Sequence, residues 1–144
     1  MLPAMGEVRV KAKLTNAADE ALVRRGMLEP AQIRTCEADA LVDTGATRTV
    51  LPPDIVARLG LGIRRRAVVV YADGRRETVG LTEPVIVELA ARDTVDEAMV
   101  LGDDVLIGQT VLEKLDLFVA CEGRKLVQNP AHPQRARHEG VITA

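Results

Sequence analysis

Asp43, Thr44 and Gly45 are the residues of this chain best suited to chemistry, and they follow directly on the apolar pair Leu41-Val42. A carboxylate delivered at the end of a strand can bind, orient or take a proton from water. Thr44 adds a hydroxyl that can bridge to a neighbouring backbone group. Gly45 allows close approach of another chain and backbone angles barred to other residues. The triplet occurs once. Metal-free hydrolysis of a peptide bond by acid–base chemistry needs two carboxylates sharing a proton. A chemical role for Asp43 therefore requires a second aspartate from a second copy of the chain. Asp-Thr-Gly is also an ordinary turn sequence, and the bare triplet, too short to carry a function, reads first as a turn. Asp39 and Asp116 are poor candidates for the partner, because neither lies in a second Asp-Thr/Ser-Gly context.

Other side chains have simpler readings. Arg48, five residues after Asp43, is placed to line a specificity pocket. Arg64-Arg65-Arg66 and Arg75-Arg76 flank Tyr71-Ala72-Asp73-Gly74 and read first as a solvated charged face. A preference for acidic side chains in a substrate is the sharper alternative. Cys36 and Cys121 read as two buried thiols. His132 and His138 form no ligand spacing with each other or with a cysteine, so neither a metal nor a cofactor is expected.

These residues must be carried by elements. Alternation from Glu7 to Leu14 predicts a half-buried strand, and Asn16 is a candidate N-cap for a short helical excursion to Arg25. A second extended run, Ile33 to Val42, delivers Asp43. Thr49 to Leu51 is short and apolar, and Pro53 starts a helix through Leu59 that Gly60 and Gly62 close. Asp73-Gly74 joins Ala67–Tyr71 to Arg75–Val79 as a hairpin. Pro84–Leu89, Ala98–Leu101 and Val105–Ile107 read as strands, Asp103-Asp104 as a turn, and Gln109–Leu115 as a helix. Leu117–Cys121 and Lys125–Gln128 pair around Glu122-Gly123, and from Asn129 the composition is that of a loose tail. Many short strands with one or two short helices predict an all-β class.

Composition narrows the function. The 144 residues fit one domain with a proper core. Apolar residues make up 47% but aromatics only 1%, so the core is aliphatic and stacking platforms for single-stranded nucleic acid are lacking. A net charge of −2 gives no bulk attraction to nucleic acid or to a membrane surface. No apolar run approaches spanning length and no signal peptide is evident, so a cytoplasmic location is expected.

The succession Leu41-Val42-Asp43-Thr44-Gly45-Ala46, the Asp73-Gly74 hairpin, Leu106-Ile107-Gly108 and a short helix resembles the single-domain, retroviral-type aspartic proteases along residues 7 to 130. More narrowly, Ala72-Asp73-Gly74-Arg75 and Asn129-Pro130-Ala131-His132-Pro133 resemble a small prokaryotic retropepsin-like group of clan AA. The resemblance implies a small closed acid-protease-type β barrel with one half-site per chain. The protease domain would span 1–130, with a flexible tail over 131–144. It implies a homodimeric aspartic endopeptidase acting on peptide or protein substrate, with one Asp43 from each chain activating a water and Thr44 tying the two loops together. Tyr71, Ala72, Asp73 and Gly74 would form a flap over an extended substrate. A hydroxyl at position 46 would stabilise the ionised pair; Ala46 does not, so activity is expected at mildly acidic to near-neutral pH.

The retroviral relatives pair an acid four residues after the aspartate with an arginine after the late glycine. Here Thr47 and Gln109 stand there beside Ile107 and Gly108, and a hydrogen bond is expected to replace the ion pair. The alternative function is a catalytically weak or inactive peptide-binding or scaffold protein on the same fold. More distant is a non-protease barrel module that assembles with another protein.

Overall fold

The computed structural model describes residues 7–120 and 125–132. Strand β1 (Val8–Asn16) forms as its alternation predicts: Val8, Ala12 and Leu14 are buried while Arg9, Lys11 and Lys13 are exposed. Asn16 then turns the chain into helix α1 (Ala17–Arg24) by accepting the Asp19 N–H at 3.1 Å. Its amide donates to the Leu59 carbonyl at 2.8 Å, so one buried side chain caps one helix and ties down the end of another. A 3-10 turn (Pro30–Gln32) leads into β2 (Thr35–Val42).

Beyond β2 lie β3 (Val50–Leu51) and α2 (Pro53–Leu59), which starts on a proline and ends on Gly60 at φ 63°. The long hairpin β4 (Ile63–Val70) and β5 (Arg76–Thr82) follows. Next come β6 (Val85–Leu89), β7 (Arg92–Asp96), β8 (Met99–Val100), β9 (Leu106–Ile107) and α3 (Gln109–Leu115). Among the described residues β10 (Leu117–Ala120) and β11 (Lys125–Gln128) pair only with each other.

The fold is all-β in class. Nine strands form one curled sheet in the order β4-β5-β8-β3-β9-β2-β1-β6-β7, a half-barrel with β4 and β7 at its ends. Its concave side buries Leu14, Ala40, Leu51, Val85, Val87, Leu89 and Ile107 against Leu59 of α2 and Val111, Leu112 and Leu115 of α3. Three short α-helices are present among the described residues, where one or two were expected.

One further feature differs from expectation. β7 was not legible as a strand, because its hairpin with β6 turns through Ala90 and Ala91 at φ 50° and 61°, a two-residue turn without turn-forming residue types. The Asn129 amide and His132 Nδ1 reach the two Asp116 carboxylate oxygens at 2.8 and 2.7 Å. Cys36 is buried as a free thiol, whereas Cys121 and His138 lie outside the described residues.

Candidate active site

The topology around β9 builds the Asp43 loop. β2 pairs with β9 in parallel, Val42 opposite Ile107, and β3 pairs with β9 antiparallel on its other side. The chain from β2 to β3 must therefore arch over the end of β9, and Asp43 starts that arch with its N–H donating to the Ile107 carbonyl at 2.9 Å. Ile107 is completely buried, which anchors the base of the loop in the core.

Gly108 lies under the arch. A Cβ on it would come within 2.7 Å of the Arg48 carbonyl oxygen and 2.8 Å of the Ala46 carbonyl oxygen. No side chain fits there. Helix α3 begins immediately after, and its first N–H groups need acceptors. The loop supplies them: Gln109 N–H donates to the Ala46 carbonyl at 2.8 Å and Thr110 N–H to the Thr47 carbonyl at 3.2 Å.

The hydrogen bond expected between Thr47 and Gln109 is not made: their backbones bond to Thr110 and Ala46 instead, and the Gln109 amide turns to Glu113 at 3.3 Å. Gly45 serves by its small size rather than by unusual backbone angles. Its N–H donates to Asp43 Oδ1 at 2.9 Å, and a Cβ would sit 3.2 Å from that same oxygen. Asp43 is half-buried and Thr44 exposed. Among the described residues Asp43 Oδ2 accepts no hydrogen bond, so the loop orients one oxygen and leaves the other open.

The acids of neighbouring elements are engaged elsewhere. Asp39 and Asp104 both reach Arg9, at 3.7 and 2.8 Å. Asp96 accepts from both the Thr49 N–H, at 3.1 Å, and its hydroxyl, at 2.7 Å. Asp96 and Glu97 went unread in the sequence because β7 did, yet they hold the far end of the Asp43 loop. Glu97 pairs with Arg64 at 2.7 Å, Arg65 at 3.1 Å and Arg48 at 3.7 Å. Hydrogen bonding from Arg64, reinforced by Arg65, holds the Glu97 carboxyl below the usual carboxylate range.

At the tip of the β4–β5 hairpin, Tyr71 N–H donates to the Arg75 carbonyl at 2.8 Å, and Gly74 takes φ 86° to close the turn. Asp73 accepts from the Arg75 N–H and guanidinium, which lowers its titration below the ordinary range. The Arg75 guanidinium lies 4.7 Å from the Tyr71 ring centre, and the Tyr71 hydroxyl donates to Glu77 at 2.7 Å, a contact that raises the phenol. Ala72 is exposed between them. No group of three or more His, Cys, Asp or Glu side chains suited to a metal occurs among the described residues.

The family described as "gag-polyprotein putative aspartyl protease" matches residues 29–114. The chain belongs to that family. The matched stretch runs from before β2, through the Asp43 loop and the long hairpin, almost to the end of α3. As a retropepsin-like aspartyl protease family member, the chain has its single Asp-Thr-Gly inside the matched stretch. Among solved structures, the solution structure of the Simian Foamy Virus (mac) protease is similar, at 14% identity and a TM-score of 0.47, over 74% of this chain and 93% of that one. No curated protein matches the chain. No helix among the described residues is long and apolar enough to cross a membrane.

Proposed function

We propose that this chain is an aspartic endopeptidase that works as a homodimer, with the two Asp43 carboxylates meeting to activate one water. The observation that carries the reading is the Asp43 loop. Gly108, α3 and Asp96 hold it from three sides, and it presents one half-exposed carboxylate. One carboxylate per chain is half of an acid–base pair, and neighbouring acids are committed to Arg9 and Thr49.

In the pair, one carboxylate takes the proton of the attacking water while the other, protonated, donates to the scissile carbonyl. Two carboxyl groups a few ångströms apart titrate as a unit. Thr44, exposed beside Asp43, is placed to bridge the two loops. The β4–β5 hairpin serves as the flap, with Val68 and Val70 exposed on it to cover an extended peptide. Phe118, exposed on the separate β10–β11 hairpin, gives that face an apolar group for the partner chain. The narrower likeness to the small prokaryotic group rests on the sequence Asn129-Pro130-Ala131-His132-Pro133 and on Ala72-Asp73-Gly74-Arg75. The enzyme is assigned to the cytoplasm.

The test is digestion of an unstructured peptide mixture by wild type and Asp43→Asn at several pH values, with sedimentation of both. Asp43→Asn is expected to lose at least about 100-fold in cleavage and to keep the wild-type sedimentation. Wild-type specific activity is expected to rise with protein concentration. A folded wild-type dimer that cuts nothing would overturn the reading in favour of a binding or scaffold role.

A further inference from the structure

Three guanidiniums converge on one carboxylate at the root of the β4–β5 hairpin. Glu97 meets Arg64 at 2.7 Å, Arg65 at 3.1 Å and Arg48 at 3.7 Å. Arg64 and Arg65 are consecutive, and in a regular strand they would point to opposite faces. The pairing of β4 with β5 is interrupted there: Ile63 faces Thr82 and Arg65 faces Leu81, leaving Arg64 as the extra residue of a bulge. A bulge re-aims a side chain, and this one brings both arginines to the same acid.

One negative charge does not neutralise three positive ones, so the cluster keeps a surplus of two. Solvent reaches all three arginine side chains, at 38%, 61% and 53% exposure for Arg48, Arg64 and Arg65. A guanidinium has five N–H donors, and Glu97 uses few of those available. The surplus continues outward. Residues 63–82 carry five arginines against Asp73 and Glu77, in a chain whose formal net charge is −2. The positive charge is thus concentrated on the hairpin, and Arg48 carries it to within five residues of Asp43.

We propose that Arg48, with Arg64 and Arg65 behind it, forms an anionic subsite that selects extended peptides carrying a glutamate or aspartate near the cut. The proposal rests on the reading of the Asp43 loop as a protease site. Arg48 is the specificity-determining residue, because its contact to Glu97 is the longest of the three and leaves its donors most available to a substrate carboxylate. Glu97 gathers the arginines when no substrate is bound and competes with the substrate for them.

The test uses eight-residue peptides in which one glutamate is moved through an otherwise neutral sequence, each with its glutamine counterpart. Binding to the Asp43→Asn protein is read by fluorescence anisotropy at low salt, and cleavage by the wild type is read separately. At one position the glutamate peptide is expected to bind about tenfold or more tighter than its glutamine twin. Arg48→Gln in the same background is expected to bring that ratio below about threefold, and Glu97→Gln to raise it. Should Arg48→Gln melt abnormally, Arg64→Gln and Arg65→Gln, on exposed side chains, replace it.

A merely structural staple would weaken both peptides of a twin alike. Equal binding at every position, no binding of any peptide, or a preference indifferent to the arginine variants overturns the proposal. Selective binding without wild-type cleavage would retain the subsite and overturn the protease reading alone.

Discussion

At the scale of single residues, Gly108 sets how closely the Asp43 loop sits on the end of β9. Three backbone atoms of residues 46 to 48 lie within 2.8 Å of where its Cβ would be, and backbone cannot swing aside as a side chain can. Gly108→Ala should therefore cost about 3 kcal/mol in urea unfolding. On the proposed mechanism it should also lower cleavage about 100-fold, because displacing the loop by an ångström misplaces the carboxylate. Wild-type stability and activity in that variant would show that the loop tolerates the shift. The place of residue 43 at a strand end was legible, since an apolar run ending in Asp-Thr-Gly is a local pattern. The reason for glycine at 108 was not, because the atoms that crowd it lie some sixty residues earlier. Gly45 was legible only as to residue type: it makes room for the Asp43 carboxylate and donates to it, without a special backbone angle.

At the scale of elements, the strands with clean alternation and the helices with caps were readable, and the strand without a turn signal was not. β1 shows its alternation, α1 its Asn16 cap, and α2 its leading Pro53 and closing Gly60. β7 hides because Ala90-Ala91 does the work usually given to Asn-Gly. Its position is set instead by Arg92, buried at 3% exposure, whose guanidinium donates to the Leu115 and Asp116 carbonyls at the end of α3. Alanine pays a steric penalty at φ 50° and 61°. Replacing Ala90-Ala91 with Asn-Gly should relieve it and stabilise the protein by about 1 kcal/mol, read as a higher urea midpoint at unchanged slope. An unchanged or lower midpoint would mean that the hairpin does not store that strain.

At the scale of the whole molecule, the Asp19–Arg34 lock joins α1 to the start of β2 and makes global stability depend on pH. Asp19 is 4% exposed and receives the Arg34 N–H at 3.0 Å and two guanidinium nitrogens at 2.9 Å each. The guanidinium hydrogen bonds outweigh burial and hold the carboxyl below its ordinary value. A lowered folded-state value means that the stabilisation is complete above the unfolded carboxylate value, near 3.9, and is lost as pH falls through the folded one. Asp19→Asn should lower the melting temperature by about 5 °C at pH 7, with the gap closing below about pH 4. A gap that stays constant from pH 7 to pH 2 would contradict this.

By itself the sequence determined what local chemistry can specify: an aliphatic all-β domain, the capped helices, and one Asp-Thr-Gly at a strand end. That the triplet occurs once is the ground on which a second copy of the chain is proposed. Only the tertiary structure decided the parallel seating of β2 on β9, the arch over Gly108, the grip of Asp96 on Thr49, and the gathering of Arg48, Arg64 and Arg65 around Glu97. Each of these joins residues dozens of positions apart or depends on a bulge in strand register, and neither leaves a periodicity along the chain.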